Sequence, residues 1–106
     1  MRAIRDTDGL VTACSDAEIL EAKRAIDAAG VGCEPASAAS VAGVRQLVAA
    51  GTIRPGHRVV AVLTGHVMKD PGILIDMHQE GAPGANAPVE IDPTVDAVAA
   101  VLQARA

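Results

Sequence analysis

The chain has 106 residues, of which half are hydrophobic and 21% are charged. This balance favours a folded domain, since disordered chains are poorer in apolar residues and richer in charge. The net charge of −4 and the absence of Phe, Tyr and Trp argue against a nucleic-acid-binding protein, which needs clustered basic residues and aromatic stacking platforms.

Two features of the sequence bear on the compartment of the protein. No apolar run approaches the roughly 20 residues that a transmembrane helix needs, and no hydrophobic stretch of signal-peptide length follows the basic N-terminal residues. Cys14 and Cys33 form no CxxC motif and no cluster with histidine, so reduced thiols are the simplest interpretation. We therefore expect a cytoplasmic protein with no membrane, nucleic-acid or metal partner.

The first half of the chain predicts two helices. Residues 15–29 begin with the capping box SDAE, carry apolar residues at three- and four-residue spacing, and stop before Gly30. On this helix Lys23 falls on the polar side. A second helix is expected over residues 36–50, with a first turn of small residues and an apolar stripe of valines.

Two segments are typical of β-strands. Residues 31–34 form a short candidate, and residues 58–63 form a stronger one. The second run is continuously apolar after its first residue, as expected of a parallel strand that is buried on both faces. A strand, a helix and a strand make a βαβ unit, so we predict an α/β fold: a partial parallel sheet with flanking helices.

Residues 70–91 are rich in proline and glycine, and we expect this segment to be mostly loop. Residues 73–75 are a short strand or one helical turn. A final helix is expected over residues 94–103, with Asp92 as its cap and Pro93 at its first position. Because so few strands are present, we interpret the chain as a fragment of a larger doubly wound domain. The alternative is a small self-contained α/β domain.

Two strand ends are candidate binding sites, since ligands of open α/β sheets bind beyond the carboxyl ends of strands. The sequence EPASAAS at residues 34–40 opens a helix with small residues, which admit a polar ligand or simply allow close packing. The sequence LTGH at residues 63–66 offers the Thr64 hydroxyl, which can make one directed hydrogen bond, and a tight turn at Gly65. His66 is either a general base or a surface histidine.

Three stretches in this order resemble one enzyme family: SDAEILEA at residues 15–22, CEPASAASVAG at 33–43 and VLTGHVMKDP at 62–71. Together they resemble the C-terminal part of threonine synthase, a pyridoxal-phosphate (PLP) enzyme of the tryptophan-synthase-β, or fold type II, class. The resemblance runs over nearly all of residues 1–106, as one segment. It implies that the chain is a fragment of the large domain, about the last third or less of such an enzyme.

The resemblance implies an activity and a set of cofactor-binding residues. The family makes L-threonine and phosphate from O-phospho-L-homoserine and water, with PLP held on a lysine as a Schiff base. Thr64 would lie beside the pyridine nitrogen of the cofactor. Glu34, Ala36, Ser37 and Gly65 are further candidates to line the cofactor. The full-length enzyme would bind a small-molecule substrate and form a homodimer.

The chain departs from the family pattern at three points. The family's Schiff-base lysine and its phosphate-binding loop lie in the N-terminal part, so we assign no catalytic residue here. Lys69 matches the lysine of the family's KDP motif, which is not the Schiff-base lysine. Lys23, on the polar side of its helix, does not replace the Schiff-base lysine either. Val67 stands where many relatives have glycine, which predicts a different bend after Thr64.

Without the missing N-terminal part as its partner, the chain alone is expected to be inactive. Two other classes of function remain open. The chain could be a non-catalytic remnant or interaction module that docks on a PLP-fold partner through an open sheet edge. It could also be a small binder of phosphate ligands that uses the two helix starts at its strand ends.

Overall fold

The computed structural model describes residues 2–79 and 85–104. In chain order the helices are α1 (Arg2–Asp6), α2 (Asp16–Ala28), α3 (Pro35–Ala49), a 3-10 helix (Val67–Lys69), α4 (Pro71–Met77) and α5 (Val95–Ala104). The chain divides into two compact units, Met1–Leu74 and Ile75–Ala106. No helix within the described ranges has both the length and the apolar character needed to cross a bilayer.

The predicted α/β fold, a partial parallel sheet with flanking helices, is wrong. Every regular element in the described part of the chain is helical. Residues 58–63 are not paired as a strand, and Val60 and Val62 are 88% and 65% exposed. The other strand candidate, residues 31–34, makes one backbone hydrogen bond across the chain, from Glu34 N to Gly65 O at 3.0 Å. A continuous apolar run indicates a tendency towards burial, but a ladder also needs a neighbouring strand.

Helix α2 forms where its local signals predict it. The capping box is complete: Ser15 Oγ accepts a hydrogen bond from Glu18 N at 3.4 Å, and the Glu18 carboxylate accepts one from Ser15 N at 2.7 Å. The helix stops before Gly30, whose φ of +76° is a left-handed conformation that favours glycine. The prediction for residues 15–29 is therefore confirmed to within one residue at each end.

Helix α3 packs against α2 and forms the core of the first unit with it. Pro35 occupies the first helical position and Glu34 is the N-cap residue, so the predicted helix over residues 36–50 is also confirmed. The core consists of Ala22, Ile26, Cys33, Ala38 and Ala42, and all of these except Ile26 are small. Small residues let the two helix backbones approach closely, although each buries little apolar area.

Lys23 lies inside this core, which corrects its predicted place on the polar side of α2. Its side chain is completely buried. The ammonium donates to Asp27 Oδ2 at 2.8 Å and to the carbonyl oxygen of Cys33 at 2.9 Å. A buried ammonium is tolerated when it is paired and hydrogen-bonded. A helical wheel places Lys23 on the polar side because it shows neither of its acceptors, the Asp27 carboxylate one turn later and the Cys33 carbonyl in the loop before α3.

The second unit contains the end of α4 and helix α5. Residues 73–75 are helical, so of the two alternatives for this segment the helical turn is correct. The cap of α5 is Thr94, whose hydroxyl accepts a hydrogen bond from Ala97 N at 3.3 Å, and not Asp92 as the sequence predicts. The loop predicted over residues 70–91 is interrupted by α4 (Pro71–Met77), and its residues 80–84 lie outside the described residues.

Candidate functional site

The first turn of α3 meets the turn that follows residues 58–63. Ser37, on that first helical turn, is 4% exposed. Its hydroxyl oxygen accepts hydrogen bonds from the backbone N–H groups of Thr64 at 3.1 Å and Gly65 at 2.9 Å. The same oxygen lies 3.2 Å from Thr64 Oγ1. One buried hydroxyl therefore holds both backbone and side chain of Thr64.

Glu34 closes one side of this cluster. Its backbone N–H donates to Gly65 O at 3.0 Å, and its carboxylate oxygen Oε1 lies 3.4 Å from Ser37 Oγ. A Cβ atom added at Gly65 would coincide with the Glu34 carboxyl group. A larger residue at position 65 would therefore have to displace the flexible Glu34 side chain.

Lys69 adds a positive charge to the cluster. Its ammonium lies 2.8 Å from Glu34 Oε2, and its side chain is 66% exposed while that of Glu34 is 13% exposed. The 3-10 helix that carries Lys69 is capped by His66, whose Nδ1 accepts a hydrogen bond from Met68 N at 3.1 Å. The ion pair therefore ties the loop after Thr64 to the N-cap of α3.

Val67 packs against the segment before α3. It begins the 3-10 helix, and its side chain lies over Gly32, where a Cβ atom would be 3.3 Å from Val67 Cβ. Gly32 has a φ of +66°. The larger residue at position 67 is therefore accommodated by the missing side chain at position 32.

The structure brings four of the five sequence-selected residues into one cluster: Glu34, Ser37, Thr64 and Gly65. Ala36 is exposed and instead lines a separate cavity of about 380 Å³, together with Asp70 and Ile73. Thr64 is exposed, so its hydroxyl is accessible from solvent. The Glu34–Lys69 ion pair was missed at the sequence level, because no periodic pattern links the two positions.

The segment before the cluster is held by buried polar groups. The carbonyl oxygen of Cys33, immediately before Glu34, accepts the hydrogen bond from Lys23. Burial raises the pKa of the Cys33 thiol, and the neighbouring Lys23 ammonium partly opposes that shift. A thiol with a raised pKa is a poor nucleophile at neutral pH. Cys33 therefore acts as a packing residue of the hydrophobic core. No group of three or more potential metal ligands occurs among the described side chains.

The residues present fit one part of a PLP site and not another. A neutral, accessible hydroxyl at Thr64 is a suitable hydrogen-bond partner for a pyridine nitrogen. The anchoring lysine of a PLP enzyme needs a free amine. Of the two lysines of the sequence, Lys23 is enclosed in the core, and the exposed Lys69 pairs with Glu34 inside the cluster itself. This chain therefore fits the ring-nitrogen side of such a site without supplying the anchor.

Comparison with known proteins places the chain among enzymes of this type. Residues 1–65, which contain the whole cluster except Lys69, match the family described as "Pyridoxal-phosphate dependent enzyme". The threonine synthase of Methanosarcina acetivorans is 41% identical over 92% of this chain and 23% of its own length. That of Synechocystis sp. is 51% identical over 69% of this chain and 19% of its own length.

A third threonine synthase, from Bacillus sp., is 45% identical over 74% of this chain and 23% of its own length. The chain thus spans about a quarter or less of the curated relatives that it matches. The family match, over residues 1–65, covers more than half of the chain. The chain belongs to the pyridoxal-phosphate-dependent enzyme family, whose cofactor is PLP.

Proposed function

We propose that this chain is part of a threonine synthase, which forms L-threonine and phosphate from O-phospho-L-homoserine and water. The identity to three threonine synthases supports the reaction. The observation that carries the proposal is the contact between Ser37 and Thr64. This contact joins residues 34–40 to residues 63–66, the two stretches that the family resemblance implies for a PLP site.

Thr64 is the residue that we assign to the cofactor. PLP, when bound, supplies the electron sink for the reaction. The Thr64 hydroxyl would donate a hydrogen bond to the ring nitrogen. Because a hydroxyl is neutral, it does not favour a protonated ring nitrogen as a carboxylate would. The carboxylate of the cluster, Glu34, is already paired with Lys69, which limits its influence on the ring.

The other parts of the enzyme follow from the same proposal. In this proposal the anchoring lysine comes from polypeptide outside residues 1–106, since Lys23 is buried in the core and Lys69 matches a different lysine of the family. The chain alone is then inactive. A homodimer of the complete enzyme is part of the proposal. So is a cytoplasmic location, which the unpaired thiols of Cys14 and Cys33 support.

The experiment that tests the proposal begins with the intact mass of the natural polypeptide that carries this chain. The enzyme isolated in that form is then assayed for phosphate release from O-phospho-L-homoserine. Replacing Thr64→Val, which removes the hydroxyl at nearly constant volume, is expected to lower kcat about tenfold or more and to shift the visible absorbance of the cofactor. Thr64→Ser keeps the hydroxyl and should keep both properties. An unchanged rate and spectrum in Thr64→Val would exclude Thr64 from the site.

A second candidate function, a non-catalytic interaction module, is favoured by one observation. Val59, Val60 and Val62 are 46%, 88% and 65% exposed in one continuous segment of the first unit. Exposed apolar surface of this kind is typical of contact with another polypeptide, here a PLP-fold partner. Sedimentation of the 106-residue chain should then show association that Val60→Lys weakens. A chain that stays monomeric and melts cooperatively at every concentration contradicts this candidate.

A further inference from the structure

We infer that Ser37 is a positioning residue that makes the Thr64 hydroxyl a hydrogen-bond donor towards the ligand. The inference rests on the proposed function for the identity of that ligand, a pyridine-type ring nitrogen. The arrangement of hydrogen bonds itself follows from the cluster around the first turn of α3.

The Ser37 hydroxyl can make only a limited number of hydrogen bonds. A serine hydroxyl has two acceptor lone pairs and one proton to donate. At Ser37 both lone pairs are occupied, because the N–H groups of Thr64 and Gly65 donate to Oγ at 3.1 and 2.9 Å. In the contact with Thr64 Oγ1 at 3.2 Å, Ser37 can therefore act only as the donor.

Two acceptors compete for the Ser37 hydroxyl proton. Thr64 Oγ1 lies at 3.2 Å and Glu34 Oε1 at 3.4 Å. The Glu34 carboxylate is already compensated by Lys69, whose ammonium is 2.8 Å from Oε2. The shorter distance and this compensation both favour Thr64 as the acceptor.

The hydrogen bond from Ser37 strengthens the Thr64 hydroxyl as a donor. Hydrogen bonds in a chain polarise one another, so a hydroxyl that accepts a bond becomes a better donor. Two amides donate to Ser37, Ser37 donates to Thr64, and the Thr64 proton remains free for a ligand. Because Thr64 is exposed while Ser37 is 4% exposed, that proton can reach a ligand and the Ser37 proton cannot. Such a donor favours an unprotonated ring nitrogen.

The first test uses the cofactor-free form of the protein and follows amide hydrogen exchange. Ser37→Ala removes the acceptor for two N–H groups, so the amides of Thr64 and Gly65 should exchange about tenfold faster. The matched control is Ser40→Ala, one turn later on α3. Ser40 Oγ donates to Ser37 O at 2.9 Å and accepts from neither of those amides, whose N–H groups donate to Ser37 Oγ. Its loss should therefore leave their exchange unchanged. Unchanged exchange in Ser37→Ala, or equal acceleration in both variants, would overturn the inference.

The second test uses the complete, PLP-loaded enzyme that contains this chain and asks whether Ser37 acts through Thr64. Ser37→Ala should lower kcat about tenfold, with little change in KM, and shift the cofactor absorbance in the same direction as Thr64→Val. In the double variant the second substitution should add almost nothing, since the two residues form one chain of bonds. Full additivity, or an altered KM alone, would count against Ser37 as a positioning residue.

Two further outcomes separate this inference from the proposed function. If Thr64→Val lowers activity and Ser37→Ala does not, the inference fails alone. If Thr64→Val changes neither rate nor spectrum, the proposed ring-nitrogen role fails and the inference with it, whatever the exchange rates are. Should Ser37→Ala not fold, Ser37→Cys preserves the volume with a weak acceptor. It is expected to accelerate the same two amides, and normal exchange in it would overturn the inference.

Discussion

Lys23 offers the sharpest test of how this small core is held together. Its ammonium is completely buried and makes two hydrogen bonds, to the Asp27 carboxylate and to the Cys33 carbonyl. Asp27 has a side-chain exposure of only 14%, and its Oδ1 bonds to none of the described groups. Replacing Lys23→Met keeps the length of the aliphatic stem but leaves the Asp27 charge without its hydrogen bond.

The expected loss follows from these contacts. Breaking a buried ion pair by removing one partner costs about 3–5 kcal/mol. Asp27 is 14% exposed rather than fully buried, so water can partly solvate the carboxylate that is left, and the cost should lie near the lower end. We therefore expect Lys23→Met to lower the free energy of unfolding by about 3 kcal/mol. Domains have about 5–15 kcal/mol in total, so the change is large. The double variant Lys23→Met/Asp27→Leu removes both charges, leaves only the Cys33 carbonyl unsatisfied, and should lose about 1 kcal/mol.

The assay is urea unfolding of the 106-residue chain, followed by the helical circular-dichroism signal. Tryptophan and tyrosine fluorescence is not an option because the chain has no aromatic residue. The matched control is Arg45→Met, which breaks the Arg45–Glu21 ion pair between partners that are 51% and 64% exposed. Exposed pairs contribute little, so this variant should be nearly as stable as the parent. A loss below about 1 kcal/mol in Lys23→Met, or a double variant no better than the single one, would refute the argument.

Three other predictions concern single side chains. Hydrogen bonds from the Gln46 side chain, then from the Ser15 backbone and side chain, lower the pKa of Glu18 from 4.5 to about 2. Folding stability should therefore fall as pH drops from about 4.5 to 2, and Glu18→Gln should flatten that decline in acid-unfolding curves. Gly65→Ala should displace the adjacent carboxyl group and reduce phosphate release, whereas Gly72→Ala, whose Cβ would meet nothing closer than 3.9 Å, should not. Cys33 should react with iodoacetamide far more slowly than the half-buried cysteine, and equal rates would contradict its burial.

The helices were predictable because their signals are local. The capping box at residues 15–18, the glycine after α2 and the proline at the start of α3 each act within one or two turns. The sheet was not predictable in this way. The apolar run at residues 58–63 is typical of a strand, but pairing depends on a distant neighbour, and the described residues contain none. Lys23 was misplaced for the same reason, since its acceptor at Cys33 lies outside the helix.

That Glu34, Ser37, Thr64 and Gly65 lie together was suggested by motif resemblance and only partly by physical pattern. Small residues at a helix start and a threonine before a glycine are weak signals separately. Their meeting depends on Ser37, which the sequence presents as one of several small residues in EPASAAS. Its burial and its two amide partners distinguish it from Ser40, which bonds within its own helix. No local pattern separates these two serines, so only the tertiary contact assigns them different roles.

The cluster also explains how a site can be ordered without a sheet to support it. The backbone at Thr64 and Gly65 follows an unpaired extended segment, where a ladder would otherwise satisfy its N–H groups. Here the Ser37 hydroxyl accepts from both of them, and Glu34 N bonds to Gly65 O. Lys23 in turn fixes the Cys33 carbonyl just before Glu34. Because these bonds run from the core of α2 to the turn at Thr64, loss of Lys23 should disturb the site as well as the core. Faster exchange of the Gly65 amide in Lys23→Met than in Arg45→Met would show that coupling.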